Sequence, residues 1–205
     1  YYHEIYESRV FTEELTGKPL IAFVCPNNEM TQRGYTFLKE SGYFAVRRGT
    51  RGLNSLNPEE GTEPFQWFNL GCYGIGDEAT EAGRDVWVDN AILEQKWLIE
   101  MWHDISPDGS SGYQGISTAD AETHLNYIAE LRNQGKLWVA SFQDAVQYIR
   151  ERQNAQVKVE QTGEMEARIS LTCDRAVLPA SVFQMPLTLN VEVPENWDYV
   201  FVTQN

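Results

Sequence analysis

The chain has 205 residues, 42% hydrophobic and 22% charged, which suits one large or two small folded domains and argues against wholesale disorder. Thirty acidic residues against 16 basic ones give a formal net charge of −14, a balance that repels phosphate backbones and anionic lipid and disfavours a nucleic-acid partner. No run approaches the roughly 18 apolar residues of a membrane-spanning helix, so no membrane insertion is expected, and the opening Tyr-Tyr-His-Glu-Ile-Tyr-Glu-Ser-Arg has no signal-peptide layout.

Residues 1–153 alternate short apolar runs with helical patterns. The runs are Pro19–Cys25, Tyr43–Val46, Phe65–Leu70, Trp97–Trp102 and Leu137–Ala140. Runs of this length between helices predict buried parallel strands. After Pro26, Asn28 is placed to cap a helix that carries Met30, Phe37 and Leu38 on one face and stops at Gly42. Ser117-Thr-Ala-Asp120 predicts a second helix start, with Ala121, Leu125, Ile128 and Leu131 inward and an end near Gly135. Ser141-Phe-Gln-Asp144 opens a third, with Ala145, Tyr148 and Ile149 inward. Segments 48–64 and 104–116 read as loops following strands, and in α/β folds ligands bind at the C-terminal ends of strands.

Near residue 154 the period changes to two. Met165, Ala167, Ile169, Leu171 and Cys173 alternate with polar residues, as do Leu187, Leu189, Val191 and Val193; a turn at Pro194-Glu-Asn then precedes Trp197, Tyr199 and Phe201. This predicts antiparallel strands with one buried face and divides the chain into an α/β region, 1–153, and a β-rich unit, 154–205. The negative charge covers both parts, −10 in the first (23 acidic, 13 basic) and −4 in the second (7 acidic, 3 basic).

Cys25, Cys72 and Cys173 show no C-x-x-C spacing, and burial as free thiols is expected for Cys25 and Cys173. His3, His103 and His124 form no H-E-x-x-H or H-x-x-x-H cluster, so the chain advertises no metal site of its own. His103 closes an apolar strand and precedes a Gly/Ser-rich loop, where an imidazole can meet solvent and act as an acid or base, or simply be hydrogen-bonded at a strand end. Asp89 is placed either to cap a helix or to orient an imidazole. His124, beside polar residues on a helix, reads as a solvated surface residue. The tryptophans read as core before they read as sugar-stacking platforms.

Leu98-Ile-Glu-Met-Trp-His103, followed after a loop by a helix and then Leu137-Trp-Val-Ala-Ser-Phe-Gln-Asp-Ala-Val-Gln-Tyr-Ile-Arg-Glu-Arg152, resembles the C-terminal half of a polysaccharide deacetylase domain of the carbohydrate esterase 4 type. Leu20-Ile-Ala-Phe-Val-Cys-Pro-Asn-Asn28 and Gly42-Tyr-Phe-Ala-Val-Arg47 resemble the middle of the same domain. The resemblance spans roughly residues 5–152 and implies a partial distorted (β/α) barrel with a C-terminal antiparallel β-unit. It implies a hydrolase that removes acetyl groups from a poly- or oligosaccharide in a periplasmic or secreted setting. It assigns His103 as the proton donor, Asp89 as the carboxylate that tunes it, and Pro26, Asn27, Met101 and Trp102 to the substrate side. It implies a zinc-like divalent metal in the complete domain, with none supported by this chain alone. The chain has no Asp-Asp pair and no H-x-x-x-H, which supply the family's base and metal ligands, and Val24 stands where the family has an Arg. These departures leave a second reading open, a non-catalytic carbohydrate-binding or scaffold protein of the same fold. A half-barrel exposes apolar strand faces, so a covering partner is expected, either a second copy or a segment preceding residue 1.

Overall fold

The computed structural model describes residues 1–57, 66–77, 80–163, 165–193 and 201–202. Its centre is a parallel sheet in the order β1 (Ala22–Val24), β2 (Ala45–Arg51), β3 (Leu70–Gly74) and β4 (Glu100–Met101). Chain order equals spatial order, as expected when each crossover passes through a helix or long loop on the way to the next strand. β1 is Ala-Phe-Val, and β2 opens on Ala-Val. Ile21, Cys25, Ala45, Val46, Leu70 and Cys72 are all buried on or beside the strands, which matches the continuous apolar runs of a parallel sheet covered on both faces.

Several predicted boundaries shift. The third strand starts five residues later than expected, at Leu70, because Gln66-Trp67-Phe68 winds into a 3-10 turn that buries its two aromatics before the ladder starts. Arg48–Arg51, read as a loop, continues β2, with a register irregularity against β3 between Arg47 and Arg51. Residues 58–64 of that same segment lie outside the described residues. The run Leu137–Ala140 forms no strand, and Trp138 and Val139 are half exposed. Its place beside the chain leading into β1 is taken by a side chain. Gln143 accepts from the Ile21 N–H at 3.2 Å and donates to the Pro19 carbonyl at 2.8 Å, mimicking a ladder partner.

Among the described residues, five α-helices surround the sheet. An N-terminal helical stretch that the sequence pattern did not suggest runs through Tyr2–Glu7, wound as a π-helix, into α1 (Ser8–Thr16). Helix α2 (Gln32–Glu40) is capped by Thr31 rather than Asn28, since Asn27 and Asn28 take left-handed backbone angles that belong to a tight turn. Helix α3 (Glu81–Leu93) is capped by Thr80. Helices α4 (Thr118–Asn133) and α5 (Phe142–Asn154) start from Ser117 and Ser141, whose side chains accept from the Asp120 and Asp144 N–H groups, as the sequence indicates. Leu125 of α4 is half exposed, so the buried stripe of this helix runs instead through Ala121, His124 and Leu131.

After α5 the chain forms an antiparallel hairpin of β7 (Ala155–Gly163) and β8 (Glu166–Cys173), which come after the short parallel pair β5 (Ile105–Ser106) and β6 (Ile116–Ser117) in chain order. The alternation at 165–173 is a true strand, but its apolar face is not buried: Val157, Val159, Met165 and Leu171 are exposed. The alternation at 187–193 forms no strand, Phe201 is exposed, and the turn at 194–196 with Trp197 and Tyr199 lies outside the described residues. The intervening segment returns to the α/β core. Leu178 and Phe183 are completely buried there, and Phe183 meets the Phe44 ring edge-on at 4.9 Å. The buried carboxylate of Glu151 accepts from the Met185 N–H and lies 3.5 Å from the Arg175 guanidinium, so charge and packing hold this segment to α5.

Phe183→Ala is therefore expected to destabilise the whole α/β region by about 3–5 kcal/mol, as a large core truncation does. Chemical denaturation with one shared transition for the core tryptophans and the C-terminal segment checks this; a separate early transition confined to residues 154–202 would contradict it.

Candidate functional site

The C-terminal ends of the parallel strands carry most of the residues singled out by the sequence. Pro26 and Asn27 follow β1 in an exposed 3-10 turn, Pro26–Asn28. Asn27 and Asn28 hold φ of +51° and +60°, a conformation Asn tolerates better than most residues. Met101 ends β4, and Trp102 and His103 come directly after it. The side chain that joins these two loops is Arg47 of β2, a residue that sequence reasoning missed. Its buried guanidinium donates to the Asn28 amide oxygen and lies 3.2 Å from Met101 Sδ and 3.5 Å from Cys72 Sγ. Gly49 makes this possible, since a Cβ there would stand 2.1 Å from the Asn28 side chain. The available signal was Arg47 directly after the apolar run Tyr43–Val46: a charged residue closing a buried run needs a partner.

Asp77 and Gln114 extend the rim. Gln114 donates to the Asp77 carboxylate, tying the 104–116 loop to the end of β3. A Cβ on Gly74 would lie 2.7 Å from that carboxylate and 3.3 Å from the Met101 methyl, so Asp77 and Met101 border the same spot. His103 is exposed, with its ring edge-on to Tyr113 at 5.1 Å. Tyr113 is itself 69% exposed, and its place in a Gly/Ser-rich loop was the signal for a surface aromatic. The same loop is fitted around Asp104. Gly112 has φ of +73°, and a Cβ there would collide with the Asp104 carboxylate.

Asp89 neither caps a helix nor sits beside His103. It lies inside α3, and its carboxylate accepts from the Tyr127 hydroxyl of α4. That bond pushes the Tyr127 pKa up to about 12, with burial and the acidic neighbours adding to it. Trp102 is half buried and donates its indole N–H to Glu100 Oε2 at 3.2 Å, a packing role as well as a rim position.

The imidazole that carboxylates do hold is His124, and the surface reading of this residue is corrected. It is completely buried. Nδ1 lies 2.8 Å from Asp85 Oδ1 of α3, and Nε2 lies 2.8 Å from Glu100 Oε1 of β4. A neutral ring can donate from only one nitrogen, so two carboxylate partners favour the imidazolium. Burial alone would lower its pKa and is the largest single influence, but the hydrogen bonds and charges of Glu100 and Asp85 together outweigh it, and the net shift is upward. The sequence hides this site because its three members are 15 to 39 residues apart and sit among polar neighbours. Among the described residues no three His, Cys, Asp or Glu side chains are placed to hold a metal ion, so these residues do not fit the metal implied by the family resemblance. All three cysteines are free, with Cys25 and Cys72 buried and Cys173 half buried. Among the described residues no helix is long and apolar enough to cross a membrane.

Comparison with known proteins adds one relative. The chain is 24% identical over 181 residues to a gellan lyase from a Bacillus species, and the match covers 79% of this chain and 7% of that protein. The chain thus spans a small part of the length of the curated relative that it matches. No family model matches the sequence, and no solved structure matches it.

Because the folded-state pKa of His124 lies above its ordinary value, its stabilising contribution is complete below about pH 6.5 and is lost as pH rises through the raised value. Thermal unfolding should accordingly show stability falling from mildly acidic to alkaline pH. His124→Ala should cost about 3–5 kcal/mol at pH 6, by leaving two carboxylates without their cation, and should flatten that pH profile. An unchanged profile in the variant would rule out the buried imidazolium.

Proposed function

We propose that this chain is a carbohydrate-facing part of a polysaccharide deacetylase-type α/β barrel, and that the 205 residues bind glycan without catalysing deacetylation. The observation that carries the reading is the parallel order β1-β2-β3-β4, with the Pro26–Asn28 turn, Met101 and exposed His103 all lying at the C-terminal ends of strands. Parallel α/β sheets place ligand-binding groups at these ends. The relative named for a polysaccharide supports a carbohydrate substrate class, although its name is that of a lyase.

In this reading His103 is the proton donor for a leaving sugar hydroxyl wherever the base and metal motifs are supplied. It presents an accessible imidazole beside the Tyr113 ring. Tyr113 offers a flat apolar face to sugar C–H groups. The His124 pair with Glu100 fixes the end of β4 and so the approach of His103, two residues after Met101. The metal of the complete family domain would polarise the acyl oxygen and activate water. The described side chains offer it no ligand set. An extracytoplasmic site of action, where structural polysaccharides are exposed, belongs to the same proposal.

The test is to titrate the 205-residue chain with acetylated and deacetylated oligosaccharides and assay released acetate with added zinc. Binding of the acetylated ligand with no acetate release is expected, and Tyr113→Ala should weaken binding about tenfold, the equivalent of one lost aromatic contact. Metal-dependent acetate release by this chain would overturn the non-catalytic part. Failure to bind any acetylated glycan would overturn the whole reading.

A further inference from the structure

The net charge of −14 makes one stretch anomalous. Arg47, Arg48 and Arg51 fall within five residues of β2, at the end of the strand that faces the candidate site. Arg47 is consumed by Asn28, Met101 and Cys72. The other two are held differently. The Arg48 guanidinium lies over the Tyr35 ring at 5.5 Å, and that of Arg51 lies over Tyr73 and Trp87, each at 5.3 Å. Among the described residues neither Arg48 nor Arg51 forms an ion pair with a carboxylate, and Arg51 is exposed. Stacking fixes a guanidinium plane while leaving its edge N–H groups free to donate, which is the arrangement that recognises a planar carboxylate with two parallel bonds.

Arg48 also lines an open groove of about 370 Å³ with Tyr1, Glu29, Met30 and Thr31. That lining suits a sugar. An acid and a threonine hydroxyl serve sugar hydroxyls, a tyrosine face serves sugar C–H groups, and the guanidinium serves a negative substituent. A bare phosphate would leave the two apolar side chains, Tyr1 and Met30, unused. A polyanion such as nucleic acid would meet the acidic surface on every side. Along the strand Arg48 and Arg51 are three residues apart, so at most about 10 Å separates their Cα atoms, within the reach of neighbouring units of one saccharide chain.

We propose that the C-terminal end of β2, through Arg48 and Arg51, is a subsite for an acidic saccharide bearing a uronate carboxylate. This deepens the glycan-binding reading and rests on it for the ligand class. The acidic surface elsewhere then acts as a filter, since only the guanidinium-bearing groove welcomes a negatively charged chain.

The experiment compares an oligoglucuronate with a neutral glucose oligomer of equal length, using the full 205-residue chain and NMR or calorimetry at roughly 50 and 300 mM salt, which straddle the range over which surface charge is screened. The acidic oligomer should bind at least about tenfold more tightly at low salt, and the advantage should shrink at high salt. Arg48→Gln and Arg51→Gln should each remove most of the preference while leaving circular dichroism and the unfolding midpoint unchanged. Arg48→Lys, which keeps the charge but loses the fork, should restore only part of it. Inorganic phosphate at matched ionic strength should not displace the saccharide. Equal binding of the two oligomers, an unaltered preference in both Gln variants, or full displacement by phosphate would each overturn the subsite. If neutral acetylated glycan still perturbs His103 and Tyr113 under those results, the subsite alone has failed. If the acidic oligomer binds through Arg48 while no glycan perturbs that loop, the subsite stands and the strand-end reading around His103 has failed.

Discussion

A parallel sheet whose last strand is only two residues long cannot rely on ladder hydrogen bonds to place the loop beyond it. In this chain the placing is electrostatic. Glu100 belongs to β4, and its carboxylate is fixed by His124 of α4, which is fixed in turn by Asp85 of α3. One buried cation between two carboxylates thereby joins two helices to the weakest strand. The second oxygen of Glu100 holds the Trp102 indole, so the side chain next to His103 in sequence is anchored from the same point. Buried ion pairs contribute little net stability compared with apolar packing, yet they are costly to break and specific in geometry. That makes this one suited to positioning a loop and poorly suited to replacing the core.

The rim repeats the same principle with a different cation. Arg47 is buried within β2 and joins the turn after β1 to the end of β4 through an amide and a thioether. Two cations thus convert three separate strand ends into one surface, while the neighbouring Arg48 and Arg51 are left stacked on aromatic rings. On a protein this acidic, the guanidinium groups mark the strand ends as chemically different from the remaining surface. The other half of the molecule is organised by burial. Leu178 and Phe183 return the chain to the α/β core after the hairpin, and Arg150 supports that side by stacking over Trp67 at 4.3 Å while donating to the Phe44 carbonyl.

The hairpin itself shows why period-two alternation is only half an argument. Alternation correctly yields the strand at 165–173, because side chains on a pleated strand must face opposite ways. It does not say whether a second layer exists to cover the apolar face, and in this hairpin Val157, Val159 and Leu171 meet solvent. At 187–193 the same pattern forms no strand at all. The preceding residues are pinned to α5 by Glu151 and by the burial of Phe183, which fixes where this segment starts.

Local rules carried the sequence far. The mixed α/β class, the three apolar runs that become or border β1, β2 and β4, and the Ser117 and Ser141 caps depend on periodicity and on side-chain to backbone bonds within four residues, so they are legible one residue at a time. The placement of Pro26, Asn27, Met101 and His103 at strand ends comes from the same runs. The tertiary structure alone decided which of these meet. It buried His124, which local polarity had placed in water, because Asp85 and Glu100 arrive from distant positions to neutralise it. It gave Asp89 to Tyr127 instead of to an imidazole, and it made Arg47 the hub of the rim. Charge partners are chosen by distance in space, and nothing in the local chemistry of a sequence encodes that distance.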